Sequence, residues 1–164
     1  MLFFIFHNFA KKTMKKVILF VVSLMLATSL AYAKKPHGPK AIEVKVSVGT
    51  QDGKMQFIPN NLTFKRGNYY KLVITNPSSV DHYFTSDALA THVFTRKVEV
   101  MDSKGETIAE IHGSIHDMEL KPGVSVAWYF FPMTKGKNLK LYCHKKGHEA
   151  HGMVGTIDIV GSLK

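Results

Sequence analysis

The run Leu139-Lys-Leu-Tyr-Cys-His-Lys-Lys-Gly-His-Glu-Ala-His-Gly-Met-Val-Gly-Thr-Ile-Asp-Ile-Val160 decides how the rest of the chain is read. Its two ends, Leu139–Cys143 and Val154–Val160, are short, rich in Leu, Ile, Val and Tyr, and carry no helical period, so each predicts a strand. The residues between them are polar and hold Gly147 and Gly152, which predicts a loop. The same grammar recurs outward along the chain. Ile42, Val44, Val46 and Val48 alternate with Glu43, Lys45 and Ser47, and Tyr70, Leu72 and Ile74 alternate with Lys71, Val73 and Thr75. This period of two marks strands with one buried face. Val93–Val100, Thr107–Ile111 and Ser125–Phe131 are further candidates. Turn signals separate many of them: Lys65-Arg66-Gly67-Asn68, Asn76-Pro77-Ser78-Ser79, Asp102-Ser103-Lys104-Gly105, Lys121-Pro122-Gly123 and Lys135-Gly136-Lys137-Asn138. About seven to eight short strands at this spacing predict an all-β sandwich or barrel. Ser86–His92 is the best place for a short helix or irregular insertion.

The N-terminus reads differently. Lys15 and Lys16 are followed by an apolar run from Val17 to Leu26 and by Ala31-Tyr32-Ala33, a small-x-small cleavage pattern. The run is shorter than the ~20 residues that span a bilayer, so residues 1–33 predict a cleaved export signal rather than an anchor. Met14 is a second plausible start. Residues 34–41, basic and rich in Pro and Gly, predict a flexible lead-in, and residues 42–164 the domain. Removing 33 residues from 164 leaves 131, and the four lysines of the leader take the charge from +10 to +6. Export places the protein in the periplasm, with no membrane span after cleavage. The basic charge does not point to nucleic acid, because the compartment is wrong and no nucleic-acid motif is present.

A single cysteine excludes an internal disulfide and zinc sites built from two to four cysteines. An exported thiol with no partner is buried, bridges another chain, or is a ligand. Cys143, His148 and Met153 recur at C-x4-H-x4-M within one loop held by strands on both sides. Thiolate, imidazole and thioether form a soft set that suits copper, and a trigonal copper site needs two His and one Cys with a weak axial Met. The second His must come from elsewhere. His82, at the start of a strand-like stretch after the turn at Asn76–Asp81, is the first choice, with His116 second and His92 and His112 as further competitors.

These features resemble the cupredoxins, the small blue copper proteins. The resemblance covers most of the mature chain and rests on four stretches. Phe57-Ile-Pro-Asn-Asn-Leu-Thr-Phe-Lys-Arg-Gly67 resembles F-x-P-x-x-(I/L)-x-(V/F)-x-x-G, and Tyr69–Asn76 leads on to His82. Glu119-Leu-Lys-Pro-Gly-Val-Ser-Val-Ala-Trp128 resembles the penultimate hairpin, and Tyr142–Gly155 the ligand loop. The family implies a Greek-key sandwich with one type 1 copper held by His82, Cys143, His148 and axial Met153. The chain departs from many relatives in three places. Tyr83 stands where they carry Asn after the first His, Lys146 where they carry Pro before Gly-His, and the stretch from Phe84 to Asp117, before the last hairpins, is longer.

A closed four-ligand site has no position for substrate, and no His-x-His pairs exist for further copper centres. The expectation is therefore a monomeric electron carrier, not an enzyme. His148 would be its electron exit, and Lys145 and Lys146 beside it would favour a redox partner with an acidic docking face. The alternative is a copper-handling protein for sequestration, delivery or tolerance, suggested by the extra His144 and His151. A binding module with lost or structural copper ranks last, since all the ligand types are present.

Overall fold

The structure is a computed structural model that describes residues 39–162. The expected leader (1–33) and residues 34–38 of the lead-in lie outside the described residues. The described chain forms strands β1 (Ile42–Val48), β2 (Phe57–Ile58), β3 (Asn61–Lys65), β4 (Tyr70–Thr75) and β5 (His82–Thr85), then helix α1 (Asp87–His92). Strands β6 (Val93–Met101), β7 (Thr107–Ile111), β8 (Asp117–Leu120), β9 (Ser125–Pro132), β10 (Gly136–Tyr142) and β11 (Val154–Val160) follow. One sheet runs β2-β1-β4-β9-β6-β7 and the other β3-β11-β10-β5-β8. The chain passes repeatedly from sheet to sheet, which is the connectivity of a Greek-key sandwich. Parallel pairs β1–β4 and β3–β11 sit within otherwise antiparallel ladders.

The alternating patterns become the two faces of each strand. In β4, Tyr70, Leu72 and Ile74 are buried while Lys71, Val73 and Thr75 are half-buried. In β1 the burial grows along the strand: Val46 and Val48 are in the core, but Ile42 is 46% exposed. The core is filled by aromatic rings that cross the gap between sheets. Phe84 of β5 meets Trp128 of β9 edge-on at 6.5 Å, and Phe64 of β3 meets Phe130 of β9 at 5.1 Å. The buried Trp128 indole still donates to Thr95 Oγ1 at 3.1 Å, so its N–H is not left without a partner.

The insertion expected at Ser86–His92 is a helix, and its start is explained locally. The Ser86 hydroxyl accepts from the Leu89 N–H at 3.3 Å, and Asp87 in the first turn suits the positive end of the helix. Of the predicted turn at Lys135–Asn138, all but Lys135 instead form the start of β10. Asn138 takes a left-handed φ of 54°, its N–H bonds Asp158 Oδ1, and the ladder to β11 shifts register between Gly136 and Leu139. A bulge absorbs the irregularity that composition alone reads as a break.

Because Trp128 fills the space between the sheets, Trp128→Ala should cost about 3–5 kcal/mol of stability. Urea unfolding is expected to show a lower midpoint with little change in slope, the signature of a cavity in an otherwise unchanged fold.

Candidate metal centre

Cys143 follows the last residue of β10, and Met153 precedes the first residue of β11. The Cys143 N–H donates to the Met153 carbonyl at 3.2 Å, closing the loop at its base. Inside it, the His148 N–H bonds Lys145 O at 2.9 Å and the Met153 N–H bonds His148 O at 3.0 Å. These turns carry His148 back over Cys143. Where β11 departs, Gly155 lies so close to Asn60 that an added Cβ would sit 2.3 Å from its carbonyl oxygen, so only glycine fits this contact.

His82 arrives from the other side, as the first residue of β5. The loop before it is tied to the sandwich by one buried amide. Asn76 Nδ2 donates to the carbonyls of Val80 and Leu120, both at 2.8 Å, and Asn76 Oδ1 accepts from the Ser78 N–H and hydroxyl. Every hydrogen-bonding position of that buried side chain is thereby used.

The result is one cluster of metal-ligating side chains among the described residues. His82, Cys143 and His148 are buried, and one ligand atom from each lies within 4.8 Å of the others. His82 Nδ1 is 3.2 Å from His148 Nδ1, and Cys143 Sγ is 3.4 Å from His148 Nδ1. The Tyr83 backbone N–H donates to Cys143 Sγ at 3.3 Å. Met153 is fully buried in the same core. Two imidazole nitrogens and a sulfur held together away from water make a soft trigonal set, and it fits a copper ion.

The other described histidines are not part of this cluster. His92 faces the Ala88 carbonyl, His112 pairs with Glu110, and His116 pairs with Asp87 at 3.0 Å. His144 bonds Thr85 Oγ1 and packs on the Tyr83 ring at 4.0 Å, and His151 faces the Gly147 carbonyl. Tyr83 was legible only as a departure from relatives that carry Asn there. Its contribution to the sulfur is a main-chain N–H, which any residue but proline would supply.

Burial, with His148 and then Lys145 nearby, lowers His82 to about 4 against the weaker opposite pull of Asp81. His148 is lowered too, by burial first and then by Lys145 and His151. Both rings are neutral at pH 7 and offer lone pairs. The lowered value of His82 also has a stability consequence in metal-free protein. The unfolded chain binds the His82 proton more readily than the folded one. The contribution is complete above about pH 6.5, fades as pH falls, and is gone below about pH 4. Urea midpoints of metal-free protein across this window should fall with pH, and less steeply in His82→Gln.

Residues 44–160 match the family described as copper binding proteins, plastocyanin/azurin family. A plastocyanin from Cucumis sativus is 23% identical over 118 residues, covering 71% of this chain and 99% of that protein. A multicopper oxidase from the hyperthermophile Aquifex aeolicus shares the fold with a TM-score of 0.56 at 14% identity, covering 77% of this chain and 31% of that one. The copper nitrite reductase from Nitrosomonas europaea does so at 0.55 and 10% identity, covering 80% of this chain and 54% of that one. This chain spans less than two thirds of either enzyme, and at these identities the likeness is one of fold. The family match runs from within β1 to the end of β11 and so takes in both sheets and the loop that carries Cys143, His148 and Met153; the chain belongs to the plastocyanin/azurin family of copper-binding proteins.

Proposed function

We propose that this protein is a periplasmic carrier of single electrons, with one type 1 copper ion held by His82, Cys143 and His148 and by Met153 as the weak axial ligand. The observation that carries the reading is the convergence of three buried donor atoms within 4.8 Å. Copper, when bound, supplies a one-electron couple. The chain supplies the rest. His82 and Cys143 are placed by the ends of β5 and β10, and His148 by a loop closed at its base, so the donors have little freedom to move on a change of charge. The Tyr83 N–H stabilises negative charge on the Cys143 sulfur. His148 is nearly buried, at 6% exposed, and lies on the loop between β10 and β11, which makes it the contact we propose for an electron. This favours a carrier over an enzyme.

Reconstituted protein should bind one copper per chain, be intensely coloured when oxidised, and bleach reversibly on reduction. Cys143→Ser should remove the colour while leaving the fold intact by circular dichroism. Several colourless ions bound per chain would instead support copper sequestration.

The docking surface is expected to be basic at one point. Lys145 reaches the Asp81 carbonyl at 3.3 Å and its carboxylate at 3.9 Å, so its charge is partly compensated. Lys146, exposed two residues before His148, has no ion pair with a described residue. A partner with an acidic face would meet Lys146, and salt would weaken the encounter over a screening length of about 8 Å at physiological ionic strength. Lys146→Glu should slow oxidation of the Cu(I) protein by a small anionic complex and speed oxidation by a cationic one, as followed by the stopped-flow return of colour. The exported location predicts that the mature chain begins at Lys34, which N-terminal sequencing of the periplasmic fraction would read directly.

A further inference from the structure

His82 is held from behind as well as from in front. Gly49 follows the last residue of β1 with a left-handed φ of 81°. A Cβ added there would lie 2.5 Å from His82 Nε2, 2.8 Å from His82 Cδ2 and 3.2 Å from Ser78 Cβ. The first two distances are shorter than real Cβ contacts, so the imidazole rests directly against the main chain at residue 49. That main chain cannot easily retreat. The Gly49 N–H donates to the Gln56 carbonyl at 2.8 Å, the Ser47 hydroxyl donates to the Gly49 carbonyl at 2.7 Å, and the preceding Val48 pairs with Phe57 of β2. Ser78, on the other side of the contact, is bound to the buried Asn76. The opposite edge of the same ring carries the Nδ1 that faces His148.

We propose that Gly49 is a positioning residue for the metal centre: its bare backbone is a fixed stop that sets how far His82 Nδ1 reaches towards Cys143 and His148. The proposal rests on the copper reading above. Packing and hydrogen bonding behind a ligand of this kind govern its orientation and hence the affinity and potential of the metal.

A glycine with positive φ resists substitution for its backbone alone, and the chain contains the control that separates the two effects. Gly53 lies in the same β1–β2 connection with φ of 82°, and an added Cβ there meets nothing within 4 Å. Gly49→Ala and Gly53→Ala therefore impose similar backbone strain, and only the first strikes His82. With copper bound, Gly53→Ala should keep the wild-type charge-transfer spectrum, electron paramagnetic resonance signature and reduction potential. Gly49→Ala should change all three and bind copper on the order of 10- to 100-fold more weakly. A Gly49→Ala protein indistinguishable from Gly53→Ala in spectrum, potential and affinity overturns the proposal.

Should Gly49→Ala fail to fold, wild-type protein gives the second measurement. Proton NMR of the metal-free and Cu(I) forms should show a nuclear Overhauser contact between Gly49 Hα and the His82 ring in both, and its absence from either overturns the proposal. A wild-type protein that takes up copper without colour would refute the electron-carrier reading. The Gly49–His82 contact in metal-free protein would still be read independently.

Discussion

His82 Nδ1 and His148 Nδ1 face each other at 3.2 Å inside the protein. Two N–H groups cannot point at each other at that distance, and two imidazolium charges there would repel with little water to screen them. At least one nitrogen must therefore offer a bare lone pair, and the sulfur of Cys143 lies 3.4 Å from one of them. Concentrating lone pairs in a core opposes folding unless other interactions hold them there. Much of the surrounding structure serves that purpose: the Cys143–Met153 bond at the base of the loop, the Asn76 amide before β5, and the aromatic rings between the sheets. One ring nitrogen can donate to the other and the sulfur accepts from the Tyr83 N–H, so the donors are held in place by the fold itself, and a cation bound there would meet them already converged.

The depressed affinity of both histidines for protons follows from the same cause. Burial disfavours the imidazolium, and positive neighbours disfavour it further. Lys145 acts on both rings while paired with Asp81, so one ion pair at the rim joins the electrostatics of the site to the surface that a partner would meet. Of the two lysines expected to make that edge positive, Lys145 is partly compensated, because tertiary folding brings Asp81, from the loop before β5, next to the ligand loop.

Much of the architecture was legible because strand patterns are local. The alternation in β4 and the apolar run of β11 appear in the structure within a residue of where the sequence places them, and the helix at Asp87–His92 begins at a serine cap. The short strands were harder. β2 has two residues and β8 four, too few for a period to emerge, and each exists because a neighbour offers a ladder. The exposure of Ile42 and of every residue of β7 was likewise hidden, since burial depends on what the opposite sheet covers.

The candidate site divides along the same line. The sequence alone determined the chemistry: a lone Cys with His and Met at regular spacing in one loop, and a soft donor set that points to copper. These are properties of side chains near one another along the chain, and a short loop between two strands allows few ways to arrange them. Only the tertiary structure decided which histidine joins them. His82 is 61 residues from Cys143 in sequence, and it meets the sulfur because β5 pairs with β10 at Thr85 and Tyr142. The Tyr83 N–H on that sulfur and the Gly49 backbone behind His82 belong to the same class. Both act through the main chain, so side-chain identity does not announce them, and both arise from contacts between strands that the sequence holds far apart.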